Sequence, residues 1–230
     1  MDFKVLSEIF KGVSDLKKSK REQKENGYSE QLFERLEQDI IKRSRVLNAG
    51  NSGSISDYQF YYAAVTKKMI KYIEAGRFED ALNTFERVSW DDFLQNLNRP
   101  GMSTNNMNHM WHIAYGMMLY LWKGDVEAAS QIYGDTPRHF QYFRKHSDIG
   151  HREAVFAEAY LFYKTGDYEQ AASSMKCLKK KHDSLSLALI RILEGKLDER
   201  LNGGQQAERY YDEARKMCAF PAVERMITEL

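Results

Sequence analysis

Tyr72-Ile73-Glu74-Ala75-Gly76-Arg77-Phe78-Glu79-Asp80-Ala81, Tyr120-Leu121-Trp122-Lys123-Gly124-Asp125-Val126-Glu127-Ala128-Ala129 and Phe162-Tyr163-Lys164-Thr165-Gly166-Asp167-Tyr168-Glu169-Gln170-Ala171 are three versions of one stretch. Each has an aromatic residue four positions before a glycine, an apolar residue two after it and an alanine five after it. Nine positions after the glycines come Phe85, Tyr133 and Met175. The glycine can take the positive φ that turns one helix sharply into the next. The alanine lets two antiparallel helices approach closely, and the large residues fill the space on either side. A degraded fourth copy centres on Asn202, with Ala207 and Tyr211 at the matching offsets.

Outward from these turns, apolar residues recur three and four apart, and no segment alternates with period two for long enough to form a strand. The chain therefore reads as all-α. Asp57 opens a helix to about Glu74, and a second helix after Gly76 carries Phe78, Ala81, Leu82, Phe85 and Val88. Asn98-Arg99-Pro100-Gly101 is a turn by composition. A Met- and aromatic-rich helix runs from about Ser103 to Lys123, and Thr136-Pro137 breaks the chain again. Further helix pairs span about Gly150 to Lys181 and about Ser184 to the C-terminus, the last interrupted near Asn202-Gly203-Gly204. On the N-terminal side, Phe3, Leu6, Ile9, Phe10, Val13 and Leu16 share one stripe. Ser29 caps a second helix with Leu32, Phe33, Leu36, Ile40 and Leu47. The Gly/Asn/Ser-rich stretch 48–54 separates this N-terminal hairpin (1–47) from the repeat region (55–230).

The repeated spacing resembles the tetratricopeptide repeat, whose Y…G-x-Y-x-x-A-x-x-x-F core it follows. The resemblance implies an irregular superhelix of antiparallel helix hairpins, with the N-terminal hairpin as cap or appendage. The turn glycines are 48 and 42 residues apart, against about 34 for tandem repeats of that family. Extra turns or short helices are therefore expected after the first two hairpins. In the family the first helix of each pair lines a concave groove. Carried over by offset from the glycine, the inward positions are Ala63, Thr66, Ile70, Ile73 and Glu74, then Trp111, Ala114, Met118, Leu121 and Trp122, then Glu153, Phe156, Tyr160, Tyr163 and Lys164. Trp111, Met118, Trp122, Glu153, Phe156, Tyr160, Tyr163 and Lys164 are the protein-binding candidates this implies, since aromatic anchors dominate binding hot spots. The Lys and Asn of the family's carboxylate clamp are missing: Thr66, Ile70 and Glu153 occupy inward positions, so a receptor for chaperone tails is not expected.

Composition narrows the function further. With 34 Lys+Arg against 33 Asp+Glu the net charge is +1, which removes the global argument for nucleic-acid binding. The run Lys17 to Lys24 with Lys42, Arg43 and Arg45 is interleaved with Glu22, Glu25, Glu37 and Asp39 and reads as an ordinary charged surface. No stretch reaches the about 18 apolar residues of a membrane span, and no signal-peptide core is visible, so a cytoplasmic protein is expected. Cys177 and Cys218 read as two buried thiols. His109 and His112 lie three apart but lack a nearby carboxylate and read as a surface or groove pair. His139, His146 and His151, with Arg138, Arg144, Lys145 and Arg152, read as a solvated basic surface. His182 follows Lys179-Lys180-Lys181 at a helix end. Stretch 50–54 is no phosphate loop and there is no GxSxG elbow. The expected function is a non-catalytic protein binder with no cofactor or metal. As a short single-domain chain of degenerate helical repeats, it also resembles the all-helical bacterial immunity proteins, and the first specific expectation that resemblance implies is an immunity protein that neutralises a toxin domain. An adaptor, a secretion chaperone or a ligand-responsive module holding a peptide is the alternative.

Overall fold

In a computed structural model of the chain, which describes residues 28–49, 54–100, 107–145, 152–176 and 185–230, Gly76, Gly124 and Gly166 take φ of 72°, 88° and 85°. Each ends a helix in the same way. Arg77, Asp125 and Asp167 donate their backbone N–H to the carbonyls of Tyr72, Tyr120 and Phe162 at 2.8, 2.8 and 2.9 Å. The glycines themselves donate to Ile73, Leu121 and Tyr163. This is a Schellman closure, which satisfies carbonyls that a helix end leaves free. Asp125 and Asp167 then cap the next helix through the N–H of Ala128 and Gln170.

Twelve helices and no strand occupy the described residues. They are α1 (Glu30–Ala49), α2 (Ile55–Glu74), α3 (Phe78–Phe85), α4 (Trp90–Leu97), α5 (Met107–Lys123), α6 (Val126–Asp135), α7 (Pro137–Lys145), α8 (Arg152–Lys164), α9 (Tyr168–Met175), α10 (Leu185–Leu201), α11 (Ala207–Met217) and α12 (Pro221–Glu229). The glycine turns join α2 to α3, α5 to α6 and α8 to α9. Short helices α4 and α7 follow the first two hairpins, which accounts for the wide glycine spacing. The long helices α2, α5, α8 and α10 pack in that order, each against the next.

The repeated residues explain the packing. Ala81, Ala129 and Ala171 are fully buried where the two helices of a hairpin meet. The aromatic before each glycine reaches back to the preceding unit. Tyr72 stacks on Phe33 of α1 with ring centroids 4.1 Å apart. Tyr120 meets Phe85 edge-on at 5.8 Å, and Phe162 meets Tyr133 edge-on at 6.2 Å. Aromatic pairs in these geometries contribute about 1 kcal/mol beyond burial. Phe85 also lies so close to Gly116 that a Cβ there would sit 2.3 Å from its ring. That contact makes Gly116 obligatory in the middle of an otherwise large-residue helix.

Of the N-terminal hairpin, α1 covers the free side of α2, with Lys68 and Arg87 both 2.6 Å from Glu37. The stripe Phe3–Leu16, the run Lys17 to Lys24, Cys177, His146, His151 and His182 lie outside the described residues. The fourth hairpin differs from expectation. The positive φ falls at Gly203 (72°) and Gly204 (79°), after Asn202, and Asp198 stands where the other copies carry an aromatic. Asp198 instead accepts from the backbone N–H of Gln206 at 2.7 Å and from the Asn202 amide, fastening the turn. Nor is the segment after Ser184 a simple pair. Cys218 and Phe220 are extended, and Pro221 starts α12 as its first residue.

Candidate functional site

The eight groove candidates divide into interior and half-buried residues. Met118, Phe156, Tyr160 and Tyr163 are buried, with Met118 and Tyr160 at 0% exposure. The physical cause is the position of α8. It is flanked by α5, α7, α9 and α10, and every residue from Ala154 to Leu161 is buried. These side chains therefore have no free face for a partner. Phe156 and Tyr160 pack ring against ring at 5.6 Å, and Lys164 lies over Tyr160 at 5.4 Å. Burial pushes the Tyr160 hydroxyl up and, with Lys196 nearby, draws the Lys164 ammonium down.

Trp111, Trp122, Glu153 and Lys164 are the half-buried four. Trp111 hydrogen-bonds Glu153, and Ser186 of α10 donates to Glu153 Oε1 at 2.7 Å. Glu153 links three adjacent helices in this way, and burial holds its carboxyl above the usual range. Trp122 lies at the other end of α5, with a separate set of partners.

Those partners belong to α12. This helix touches α10 and α11 of the last hairpin and α2 of the first. Arg225 is its anchor. Nη1 donates to the Gly76 carbonyl at 2.6 Å, and Nη1 and Nη2 grip Glu79 at 2.9 and 2.7 Å. The guanidinium also lies over the rings of Phe78 (5.0 Å) and Trp122 (4.7 Å). Glu229 accepts from Arg225 Nε at 2.9 Å and from Trp122 Nε1 at 2.6 Å. A cation on the Gly76 carbonyl, just past the C-terminus of α2, suits the negative end of that helix. The Arg225 hydrogen bond holds the Glu79 carboxyl below its usual range, and Glu79 and Glu229 push the Arg225 guanidinium up. Ala222, Val223 and Met226 form the buried face of α12. Pro221 lies over the first turn, 3.3 Å from where a Gly76 Cβ would stand, whereas Gly124 and Gly166 have nothing within 4 Å.

Sequence reasoning missed Arg225, Glu229 and Glu79, which pattern alone assigns to solvated faces. The available signal was Pro221, which marks a helix start.

The histidines contradict their surface reading. His109, His112 and His139 are all buried. The insertion of α4 causes this for the first two: Phe93 packs 5.7 Å from His109 and 4.7 Å from His112, and Phe85 lies 4.7 Å from His112 on its other flank. Thr66 Oγ1 is 3.2 Å from His112 Nδ1, while His109 Nδ1, His112 Nε2 and His139 Nε2 have no hydrogen-bond partner. Burial lowers His109 to about 4 and His112 to about 3, and lowers His139 as well. All three are neutral at physiological pH. Among the described residues no group of three or more His, Cys, Asp or Glu side chains is arranged to hold a metal ion. Cys218 is buried and free, its thiol pushed up by burial.

Compared with known proteins, the chain matches no family model, no curated protein and no solved structure. Among the described residues no helix is long and apolar enough to cross a membrane.

Proposed function

We propose that this is a non-catalytic protein-binding protein of tetratricopeptide-like build, which captures a helical segment of its partner across the C-terminal ends of α2 and α5. One observation carries the reading: this surface already seats a short amphipathic helix, α12, on a set of directional contacts around Trp122, Glu79 and the Gly76 carbonyl. Recognition of an amphipathic helix by a groove between helices is a recurring binding mode. Trp and Arg are the side chains that most often anchor such surfaces. A toxin domain, an adaptor's target and a secreted substrate can each present such a helix, and the proposal commits to the helix.

The test is site-specific photo-crosslinking in cells. A photoreactive amino acid replaces Trp122 in one variant and Glu169, on the exposed side of α9, in another. The expected result is one discrete adduct with another protein from the Trp122 position and none from the Glu169 position. Equal adducts from both positions, or only internal adducts with α12, would sink the proposal.

A further inference from the structure

Trp111 and Trp122 stand eleven residues apart on α5. That spacing is about three helical turns, so the two indoles leave the same side of the helix about 16 Å apart. Each donates its N–H to a glutamate of a later helix, Trp122 to Glu229 at 2.6 Å and Trp111 to Glu153. At Trp122 the unit has a third part. The Arg225 guanidinium lies 4.7 Å from the centre of the indole, and its Nε donates to the same Glu229 at 2.9 Å. At Trp111 the first two parts recur without the third. Ser186 donates to Glu153 Oε1 at 2.7 Å, while Glu153 Oε2 is buried and has no hydrogen-bond partner. Arg152, next in the chain, is the weakest of the groups that draw this carboxyl down, and its own Nε is without a partner. Tyr115, one turn along α5, has Glu153 and Glu74 among the groups that push its hydroxyl up. Glu74 is paired with Lys71 at 2.6 Å, which leaves Glu153 as the uncompensated carboxylate on this side of α5. Burying a carboxylate is costly unless an opposite charge accompanies it. A glutamine would brace α5 and α10 through the same Oε1, so bracing does not explain the free oxygen. Trp111 and Glu153 are both half-buried, so the pair meets solvent at its edge.

We infer that the Trp111–Glu153 pair is a binding site for a guanidinium group, supplied by an arginine side chain of a polypeptide partner. The cation stacks on the Trp111 ring and donates to Glu153 Oε2, as Arg225 does with Trp122 and Glu229 at the far end of α5. A guanidinium suits the pair better than an ammonium, because its planar fork can lie on an indole while its N–H groups donate sideways to a carboxylate. A chain arginine suits it better than a free guanidine, because the instance the molecule already contains is a side chain of a helix. The site stands on its own contacts and goes beyond helix capture at Trp122.

The test titrates the ¹⁵N-labelled full chain with the peptide acetyl-Gly-Arg-Gly-amide and follows the indole N–H signals of Trp90, Trp111 and Trp122 by NMR. The Trp111 signal is expected to shift saturably, while the Trp122 signal, whose guanidinium is Arg225, stays in place. The same peptide with citrulline, the neutral isostere of arginine, is expected to bind at least about tenfold more weakly. The Glu153→Gln protein is expected to lose at least about tenfold in affinity for the arginine peptide with its helix content unchanged. Should that variant misfold, the citrulline comparison on the wild-type protein decides alone. No shift at Trp111, an equal shift at Trp122, equal binding of the two peptides, or wild-type affinity in folded Glu153→Gln overturns the inference. Tighter binding of agmatine, a free guanidine, than of the arginine peptide overturns the assignment to a chain arginine. The two proposals fail separately. An adduct at Trp122 with no shift at Trp111 leaves helix capture standing without this site, and the reverse result leaves this site without helix capture.

Discussion

Acidification should unload a large share of this protein's stability through two side chains, His109 and His112. Both are buried among Tyr62, Phe85 and Phe93, and each has a ring nitrogen without a hydrogen-bond partner. Burial is the larger cause of their lowered pKa values, with His139 and His109 as the positive neighbours that second it. Their folded values, about 4 and about 3, lie below the ordinary 6.5. Their contribution is therefore complete above pH 6.5 and drains away as pH falls toward the folded values. Within that window each histidine costs up to about 1.4 kcal/mol per pH unit. From about pH 7.5 to about pH 5 the loss comes to about 2 kcal/mol for each and about 4 kcal/mol for the pair. That is a large share of the about 5–15 kcal/mol that holds a typical domain together.

Other groups titrate too, so the assay has to isolate the histidines. Burial raises Glu153 and Glu158, and their penalty shrinks on acidification, with the opposite sign. Glu37, lowered to about 2 by Arg87 and Lys68, keeps its contribution until pH drops below about 4.5, outside the window. Urea unfolding of wild type and of His109→Gln/His112→Gln at the two pH values cancels these shared terms. The double variant is expected to be less stable at about pH 7.5 and to lose at least about 3 kcal/mol less on acidification than wild type does. An equal loss in the two proteins would show that the imidazoles are not buried neutral, and the placement of α4 over α5 would be wrong.

Other substitutions test the packing. Gly116→Ala drives a methyl group into the Phe85 ring and is expected to cost about 1–3 kcal/mol in urea unfolding, with partial recovery in Gly116→Ala/Phe85→Leu. Gly124→Ala is expected to lose about 1 kcal/mol through its positive φ alone. Gly76→Ala is expected to lose more, because its new Cβ also presses on Pro221; equal losses would remove α12 from that turn. Tyr160→Ala empties a fully buried site and is expected to cost about 3–5 kcal/mol of stability, so any binding defect in it should track its unfolded fraction.

The bends were legible in the sequence because a positive φ leaves little choice of residue, and Gly76, Gly124 and Gly166 stand at identical offsets from an aromatic and an alanine. Gly203 and Gly204 were legible as a break, but not as its centre, because two adjacent glycines permit either register. The buried histidines were not legible. An imidazole at helical spacing fits surface and core equally well, and Phe93, which covers His109 and His112, arrives on the inserted helix α4.

The site was least legible, for a reason of distance along the chain. Offsets from the turn glycines placed Trp122 on a binding surface by the logic of an open superhelix, in which every long helix leaves one side free. That logic fails once α10 packs on α8 and the chain returns to its first hairpin: Tyr160 and Met118 become core, while Trp122, at the end of its helix, keeps a polar edge. What decides its partner is the approach of Arg225 to Gly76, 149 residues away. Nothing local to Arg225 distinguishes it from a surface arginine paired with Glu229 four residues on. The same ambiguity gives the arrangement its physical interest. The Glu229 pair would form in water as well, so it is the burial of Ala222, Val223 and Met226, together with the Arg225 grip on Glu79 and the Gly76 carbonyl, that seats α12 where it lies.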